Sequence, residues 1–350
     1  MEIIAFDSHK RYTQSLVEDA RGRVIAEDRI THEQGAIWQY LKRFKPGCSV
    51  AVETIGNWYW IVEEIEQAGM KALLVHARKA KVMVGNVNKT DRLDVRGLNR
   101  LQRTGTLPTV WIPPGELRDK RDIARTRMFL VSQRTQLKNR IHATLDKYAL
   151  EVKEVADIFG VRGRQLLEER CKSLPPHTRF TVEQQLTQVD GLEGAIDALE
   201  KRMSEVFAET EEVRLLRTIP GIGFLLAVVI SLEVGDVSRF GRAEQLASYA
   251  GTTPRVHASG GKLRYGRLRT DVNHYLKWAY VEAANAICLN RSRWPKRHVC
   301  CLYERLRSKK GHAVAIGAVA RHLAEATYWV LTKKEQYQDP QSSRRSSTEA

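Results

Sequence analysis

The order of the first hundred residues constrains this chain more than any other feature. IIAFD, YTQSLVE and VIAEDRI are short runs of strand character, and ARGR makes a turn between the second and third. HEQGAIWQYLKRF then reads as a helix, SVAVET as a buried strand, NWYWIVEEIEQAG as a helix ended by Gly69, and KALLVH as a further strand. Three strands, helix, strand, helix, strand is an α/β order built on a mixed sheet.

It is also the order of a ribonuclease-H-type fold, in which the ends of strands one and four lie side by side. Asp7 ends the first strand and Glu53 ends SVAVE, while Asp91 and Asp94 of NKTDRLDVRGL stand three apart and share one face if that segment is helical. A helix packed on such a sheet brings two further carboxylates to the same point. Hard divalent cations such as Mg²⁺ take oxygen ligands, and two of them can clamp the attacking and leaving oxygens of a phosphodiester. Each acid alone reads equally well as a strand cap or a solvated helix charge. Jointly they need explaining, because acids at the ends of two apolar strands are unfavourable without a partner. Thr90 is suited to cap the helix, and Lys10 and Arg92 are candidate phosphate contacts or ordinary surface charges.

From about Pro113 the strand signal disappears. Segments 115–148 and 181–217 carry apolar residues at helical spacing, including Leu130, Leu137, Ile141 and Leu145, then Leu186, Leu192, Ile196, Leu199 and Met203. These stripes predict a long helical hairpin or coiled-coil arm. LRTIPGIGFLLAVVI has the look of a helix-hairpin-helix, with Pro220, Gly221 and Gly223 making a tight turn into an apolar helix. Backbone N–H groups at such a start can hold a phosphate, although a turn between packed helices would look the same. Helices are expected to resume at 271–289, 293–308 and 312–331. The expected divisions are therefore 1–112 (α/β), 113–212 (helical arm), 213–332 (all-α) and 333–350, a polar tail expected to be disordered.

The chain carries 57 basic against 41 acidic residues, a net charge of +16. That excess is an electrostatic footprint for a polyanion, most often nucleic acid. One acid-free cluster of this charge lies at RVHASGGKLRYGRLR, residues 255–269, which is expected to be a loop before a helix. Arg255, Lys262, Arg264, Arg267 and Arg269 gather there with no acid among them. Ser259 and the glycines Gly260 and Gly261 sit in their midst. A serine hydroxyl is a poor nucleophile at neutral pH unless a base takes its proton or the transition state is stabilised. His257 is a candidate base, but the residues alone also allow a loop that merely grips phosphate. No apolar run approaches the length of a membrane span, the start does not read as a signal peptide, and five scattered cysteines favour reduced thiols in a cytosol.

The pattern AFDSHK, AVETIGNW, NKTDRLDVRGL, followed by TIPGIG and YAGTTPRVHASGGKLRYGR, closely resembles the DEDD transposases of the insertion-sequence-110 and 1111 group, over roughly residues 2–330. The resemblance implies a RuvC-like domain whose acidic tetrad matches Asp7, Glu53, Asp91 and Asp94 and holds Mg²⁺. It also implies a transposase domain whose S-G-G motif aligns the nucleophilic serine with Ser259, which would form a covalent phosphoserine with DNA. Lys10, Gly221, Gly223, Arg255, Gly260, Gly261, Lys262, Arg264 and Arg267 are the expected nucleic-acid contacts. The implied partners are donor and target DNA, a noncoding bridge RNA that pairs with both, and further copies of the chain, as a homodimer assembling to a homotetramer with a composite site from different protomers. The implied location is the bacterial cytoplasm, in association with the nucleoid. Two other classes remain open at this level. One is a metal-dependent nuclease or Holliday-junction resolvase that uses the acids alone; the other is a non-enzymatic nucleic-acid-binding protein.

Overall fold

A computed structural model describes residues 2–85 and 90–340, and divides them into two compact units, Met1–Pro113 and Pro114–Ala350. The first unit contains β1 (Ile3–Ser8), β2 (Tyr12–Glu18), β3 (Val24–Thr31), α1 (Ala36–Leu41), β4 (Ser49–Glu53), α2 (Trp58–Gln67), β5 (Lys71–Val75), α3 (Ala77–Val84) and α4 (Asp91–Arg103). The sheet order is β3-β2-β1-β4-β5, with β1, β2 and β3 antiparallel and β1, β4 and β5 parallel. The mixed sheet expected from the sequence is therefore present. The predicted first helix is shorter than its apolar pattern, covering only Ala36–Leu41.

Strand alternation explains how one sheet serves two cores. Ile4, Phe6, Val50 and Val52 point into a core with Ile61, Val62 and Ile65 of α2. Ala5 and Ala51 face the other way, onto Val95, Leu98 and Leu101 of α4. Small residues on that face let α4 lie close to the strands. It is fixed there by polar contacts to backbone: the Gln102 side-chain amide donates to the Ile4 carbonyl (2.7 Å) and that of Asn99 to the Leu16 carbonyl (3.2 Å). Gln102 thus sits at the start of β1 and the N-terminal turn of α4 comes to its end.

The second unit comprises α5 (Gly115–Lys147), α6 (Val161–Cys171), α7 (Pro176–Phe207), α8 (Glu211–Leu216), α9 (Phe224–Val234), α10 (Ala243–Tyr249), β6 (Pro254–Ser259), β7 (Lys262–Leu268), α11 (His274–Asn290), α12 (His298–Lys310) and α13 (His312–Lys333). Helices α5 and α7 pack on each other. At one end Ile141 and Leu145 meet Val182, Leu186 and Val189 in a small core that includes Leu167 of α6. At the other, Ala124, Met203 and Phe207 join the main core of α8–α13. Inside that core Glu233, near the end of α9, is 3% exposed and accepts two hydrogen bonds from Arg125 (2.7 and 2.9 Å) and one from Asn273 (2.8 Å). Arg121 of α5, also buried, donates to the Leu232 and Glu233 carbonyls and so satisfies the end of α9.

Two expectations are corrected here. The unit is mostly helical and not all-α, because β6 and β7 form an antiparallel ribbon between α10 and α11. Part of the expected disordered tail is also docked. The Tyr337 backbone N–H donates to the Thr218 hydroxyl (2.9 Å), the Tyr337 ring packs against the main core, and Asp339 accepts from the His298 backbone N–H (3.1 Å). One aromatic and one carboxylate, each with a partner, hold a polar segment that composition assigned to solvent. The remaining expected tail, 341–350, lies outside the described residues.

Candidate functional site

The acidic site begins with β1 and β4. Their register pairs Phe6 with Val52, so Asp7 and Glu53 follow at the same end of neighbouring parallel strands. Both lie on the face that Ala5 and Ala51 present to α4. Thr90 caps that helix by accepting from the Leu93 N–H (3.3 Å), which sets Asp91 and Asp94 one turn apart in its first turn. Negative charge there is favoured by the helix dipole.

Asp7 and Asp91 come together with a residue that the sequence reading passed over, His9. One ligand atom from each of the three lies within 4.8 Å of the others. His9 Nε2 is 3.3 Å from Asp7 Oδ2 and 3.1 Å from Asp91 Oδ2. Glu53 and Asp94 stand outside this group of three. The usable signal was the spacing D-x-H: residues two apart on a strand share a face, so an acid at Asp7 places His9 beside it. Tyr12 is a second addition. Its hydroxyl donates to Asp91 Oδ2 (3.0 Å), and this bond, followed by burial, raises the phenol pKa above its ordinary value.

The surroundings hold His9 in place. Its backbone N–H donates to the Tyr12 carbonyl (2.8 Å), and its own carbonyl accepts from the Asn57 side chain (2.9 Å). Its ring lies 4.5 Å from that of Tyr12, over which the Arg29 guanidinium sits at 3.6 Å. Lys10 is exposed and lines an open cleft of about 380 Å³ with His32, Glu33, Gln34, Asn57, Trp60 and Glu64. Arg92 forms an ion pair with Glu27 (2.8 Å), so its charge is already partly answered by the protein.

The serine-bearing segment is the ribbon, not a loop. Ser259 ends β6 and pairs with Lys262 across the two-residue turn Gly260–Gly261, whose φ values are 56° and 72°. Two successive left-handed residues are what a type I′ hairpin turn requires, and glycine supplies them without steric cost. Pairing His257 with Arg264 and Ser259 with Lys262 puts these four side chains on one face. Val256, Ala258, Leu263 and Tyr265 occupy the other, with Val256, Leu263 and Tyr265 more than half exposed. Among the described residues no carboxylate pairs with Lys262, Arg264 or Arg267, and no side chain hydrogen-bonds the Ser259 hydroxyl. The ends of the ribbon are clamped instead: Arg255 donates to Thr270 (2.9 Å), Arg269 to Asp271 (2.9 Å), and Lys277 to the Arg269 carbonyl (3.1 Å). The Arg269 guanidinium holds the Asp271 carboxyl down at about 2.

The two glycines of TIPGIG have different surroundings. Gly221 has φ +78°, and a β-carbon there would lie 2.4 Å from the Ala283 carbonyl oxygen of α11. It is therefore required by packing. Gly223 is exposed at the start of α9 with no atom within 4 Å of the equivalent position.

Comparison with known proteins places these features in one family. Residues 4–150 match a transposase family of the DEDD, IS110 type, and residues 213–299 match the transposase IS116/IS110/IS902 family. The chain belongs to the IS110/IS1111 transposases. It is 26% identical over 341 residues to the transposase for insertion sequence element IS1111A of Coxiella burnetii, spanning 96% of this chain and 91% of that one. A probable family 20 transposase of Pseudomonas aeruginosa is 23% identical over 95% of this chain and 98% of its own. The transposase for IS1328 of Yersinia enterocolitica is 23% identical over 74% and 76%. The chain is accordingly a DNA transposase, and the two matched blocks contain the acidic group and the serine ribbon respectively. Among the described residues no helix is long and apolar enough to cross a membrane.

Proposed function

We propose that this transposase is a site-specific recombinase that moves its own insertion sequence through a phosphoserine linkage at Ser259. The supporting observation is the ribbon, where an exposed hydroxyl and two glycines at the tip share a clamped hairpin with Lys262, Arg264 and Arg267, cations that have no carboxylate partner among the described residues. In the reaction, Ser259 Oγ bonds to a phosphorus of DNA as the bond to one deoxyribose oxygen breaks. The serine proton passes to a base, and the departing oxygen takes one up. Rejoining reverses the step with a different strand end, so no hydrolysis of the backbone is needed. Lys262, Arg264 and Arg267, with Arg255 at the foot, neutralise phosphate charge, and Gly260 and Gly261 let the backbone approach. Gly223 and Lys10 supply further backbone contacts.

The first unit is assigned a RuvC-like, ribonuclease-H-type role, on the support of its sheet order and of the acids at one end of it. Asp7, Glu53, Asp91 and Asp94 would hold the divalent cation, Mg²⁺ in the simplest case. Asp7 and Asp91 fit such a group: each offers a carboxylate oxygen, the ligand type that Mg²⁺ takes, and the two oxygens lie within 4.8 Å of each other. Bound there, the cation supplies Lewis-acid stabilisation of phosphodiester oxygens. A bridge RNA that pairs with donor and target DNA, and a homotetramer built from dimers through α5 and α7, complete the assignment.

The test is incubation with element-end DNA, the adjacent noncoding RNA and Mg²⁺, followed by a search for a protein–DNA adduct that survives denaturation. The adduct is expected with the wild-type chain, absent in Ser259→Ala, and weakened in Asp7→Ala. Free cut ends produced at full rate by Ser259→Ala would refute the serine mechanism and leave the acid-only nuclease.

A further inference from the structure

The imidazole of His9 has no role in the assignment above, yet it occupies the middle of the acidic group. Its Nε2 is shielded from solvent and makes no hydrogen bond of acceptable geometry, although two carboxylate oxygens lie at 3.1 and 3.3 Å. A nitrogen that merely donated to one acid would align its N–H with that oxygen. Instead Nε2 lies between the two carboxylates, and one ligand atom from each of the three residues falls within 4.8 Å of the others, as ligands of a shared cation do. The ring is also held in advance by the backbone bonds to Tyr12 and Asn57 and by its stacking on Tyr12. The rotational entropy lost on coordination is correspondingly small.

We propose that His9 Nε2 is a protein ligand of the cation bound by Asp7 and Asp91, and that it tilts the site toward first-row transition metals over Mg²⁺. Carboxylate and water ligands suit Mg²⁺, whereas an imidazole nitrogen adds affinity for softer divalent ions such as Mn²⁺ and, more strongly, Co²⁺. Tyr12 then acts as the positioning group for the opposite ligand, because its hydroxyl orients Asp91 Oδ2. This inference rests on the metal-site reading of the first unit and adds a fifth residue to it.

The experiment is direct metal binding to the full-length chain, without DNA turnover. Titrations with Mg²⁺, Mn²⁺ and Co²⁺ are compared for wild type, His9→Asn and Asp7→Asn, with thermal unfolding recorded for each variant. Pulsed EPR on the Mn²⁺ complex, with histidine labelled with ¹⁵N, reads nitrogen coordination independently of affinity. The wild-type chain is expected to show nitrogen coupling from one histidine and to prefer Co²⁺ and Mn²⁺ over Mg²⁺. His9→Asn is expected to lose the coupling and about tenfold or more of its Co²⁺ affinity, while Mg²⁺ affinity changes less than about threefold, because its carboxylate ligands remain. Asp7→Asn is expected to weaken all three ions. Loss in Asp7→Asn together with unchanged Co²⁺ affinity and no nitrogen coupling in wild type would overturn the His9 assignment alone. Failure of the wild-type chain to bind any of the ions, or indifference to Asp7→Asn, would overturn the metal site itself.

Discussion

Gly221→Ala tests which half of the TIPGIG turn is packing and which half is open to a ligand. At φ +78° a β-carbon costs about 1–2 kcal/mol in backbone strain. The new atom would also lie 2.4 Å from the Ala283 carbonyl oxygen and 3.0 Å from Ile287 Cγ1. Neither is a flexible surface group: one is helix backbone and the other is a branched side chain in the main core. Relieving that overlap requires α9 or α11 to shift, an overpacking cost of about 1–3 kcal/mol. Together the two contributions predict a loss of about 2–5 kcal/mol, a large part of the roughly 5–15 kcal/mol available to a domain. Gly223→Ala is the control two residues away. Its φ is −82° and its β-carbon would meet nothing within 4 Å, so the change should stay below about 1 kcal/mol, from the helix start alone. Equilibrium unfolding in urea, followed by far-UV circular dichroism, measures both. A Gly221→Ala protein within 1 kcal/mol of wild type, or two variants equally destabilised, would refute the assignment of Gly221 to packing.

Two further measurements probe the support of the ribbon. Glu233→Ala removes the acceptor of Arg125 and Asn273 and leaves the buried Arg121 without its nearby carboxylate, so a loss of about 3–5 kcal/mol in urea unfolding is expected; a loss below 1 kcal/mol would show that the network adds nothing net. Asp271 titrates near 2 in the folded chain, against an ordinary value near 4 when unfolded. Its pairing with Arg269 therefore contributes fully above about pH 4 and is lost as pH falls toward 2, when the unfolded chain takes up the proton first. The contribution is small because the pair is solvent-screened, and the check is a carboxyl carbon titration by NMR, in which a midpoint near 4 would contradict the pairing.

How far the sequence could be read depended on which physical signal each element carried. Apolar alternation placed all the strands of the first unit, since Ile4, Phe6, Val50 and Val52 must reach one core and Ala5 and Ala51 the other. The helix with Asp91 and Asp94 was legible from Thr90 and the spacing of its acids. The ribbon carries a legible signal, since Gly-Gly between V-H-A-S and K-L-R-Y is a two-residue turn between alternating runs, but the cations and glycines of the same segment fit a basic loop equally well. The docking of Tyr337 was not legible, because a lone aromatic in a polar tail carries no period.

The acidic group marks the point where sequence alone stops. Strand register and helix capping bring four backbones to one end of the sheet, and both are written in the sequence. Which side chains then converge depends on rotamers, and these answer to neighbours distant in sequence: Asn57 holds the His9 carbonyl and Tyr12 holds the Asp91 carboxylate. Asp7, His9 and Asp91 form the group that results, with one ligand atom of each within 4.8 Å of the others. The same reasoning gives the ribbon its two faces. Pairwise register alone separates Ser259, His257, Lys262 and Arg264 from the apolar side, so a one-residue slip would carry the serine to the opposite face. The Gly260–Gly261 turn fixes the register against that slip, so the glycines of the S-G-G motif set which face of the ribbon carries Ser259.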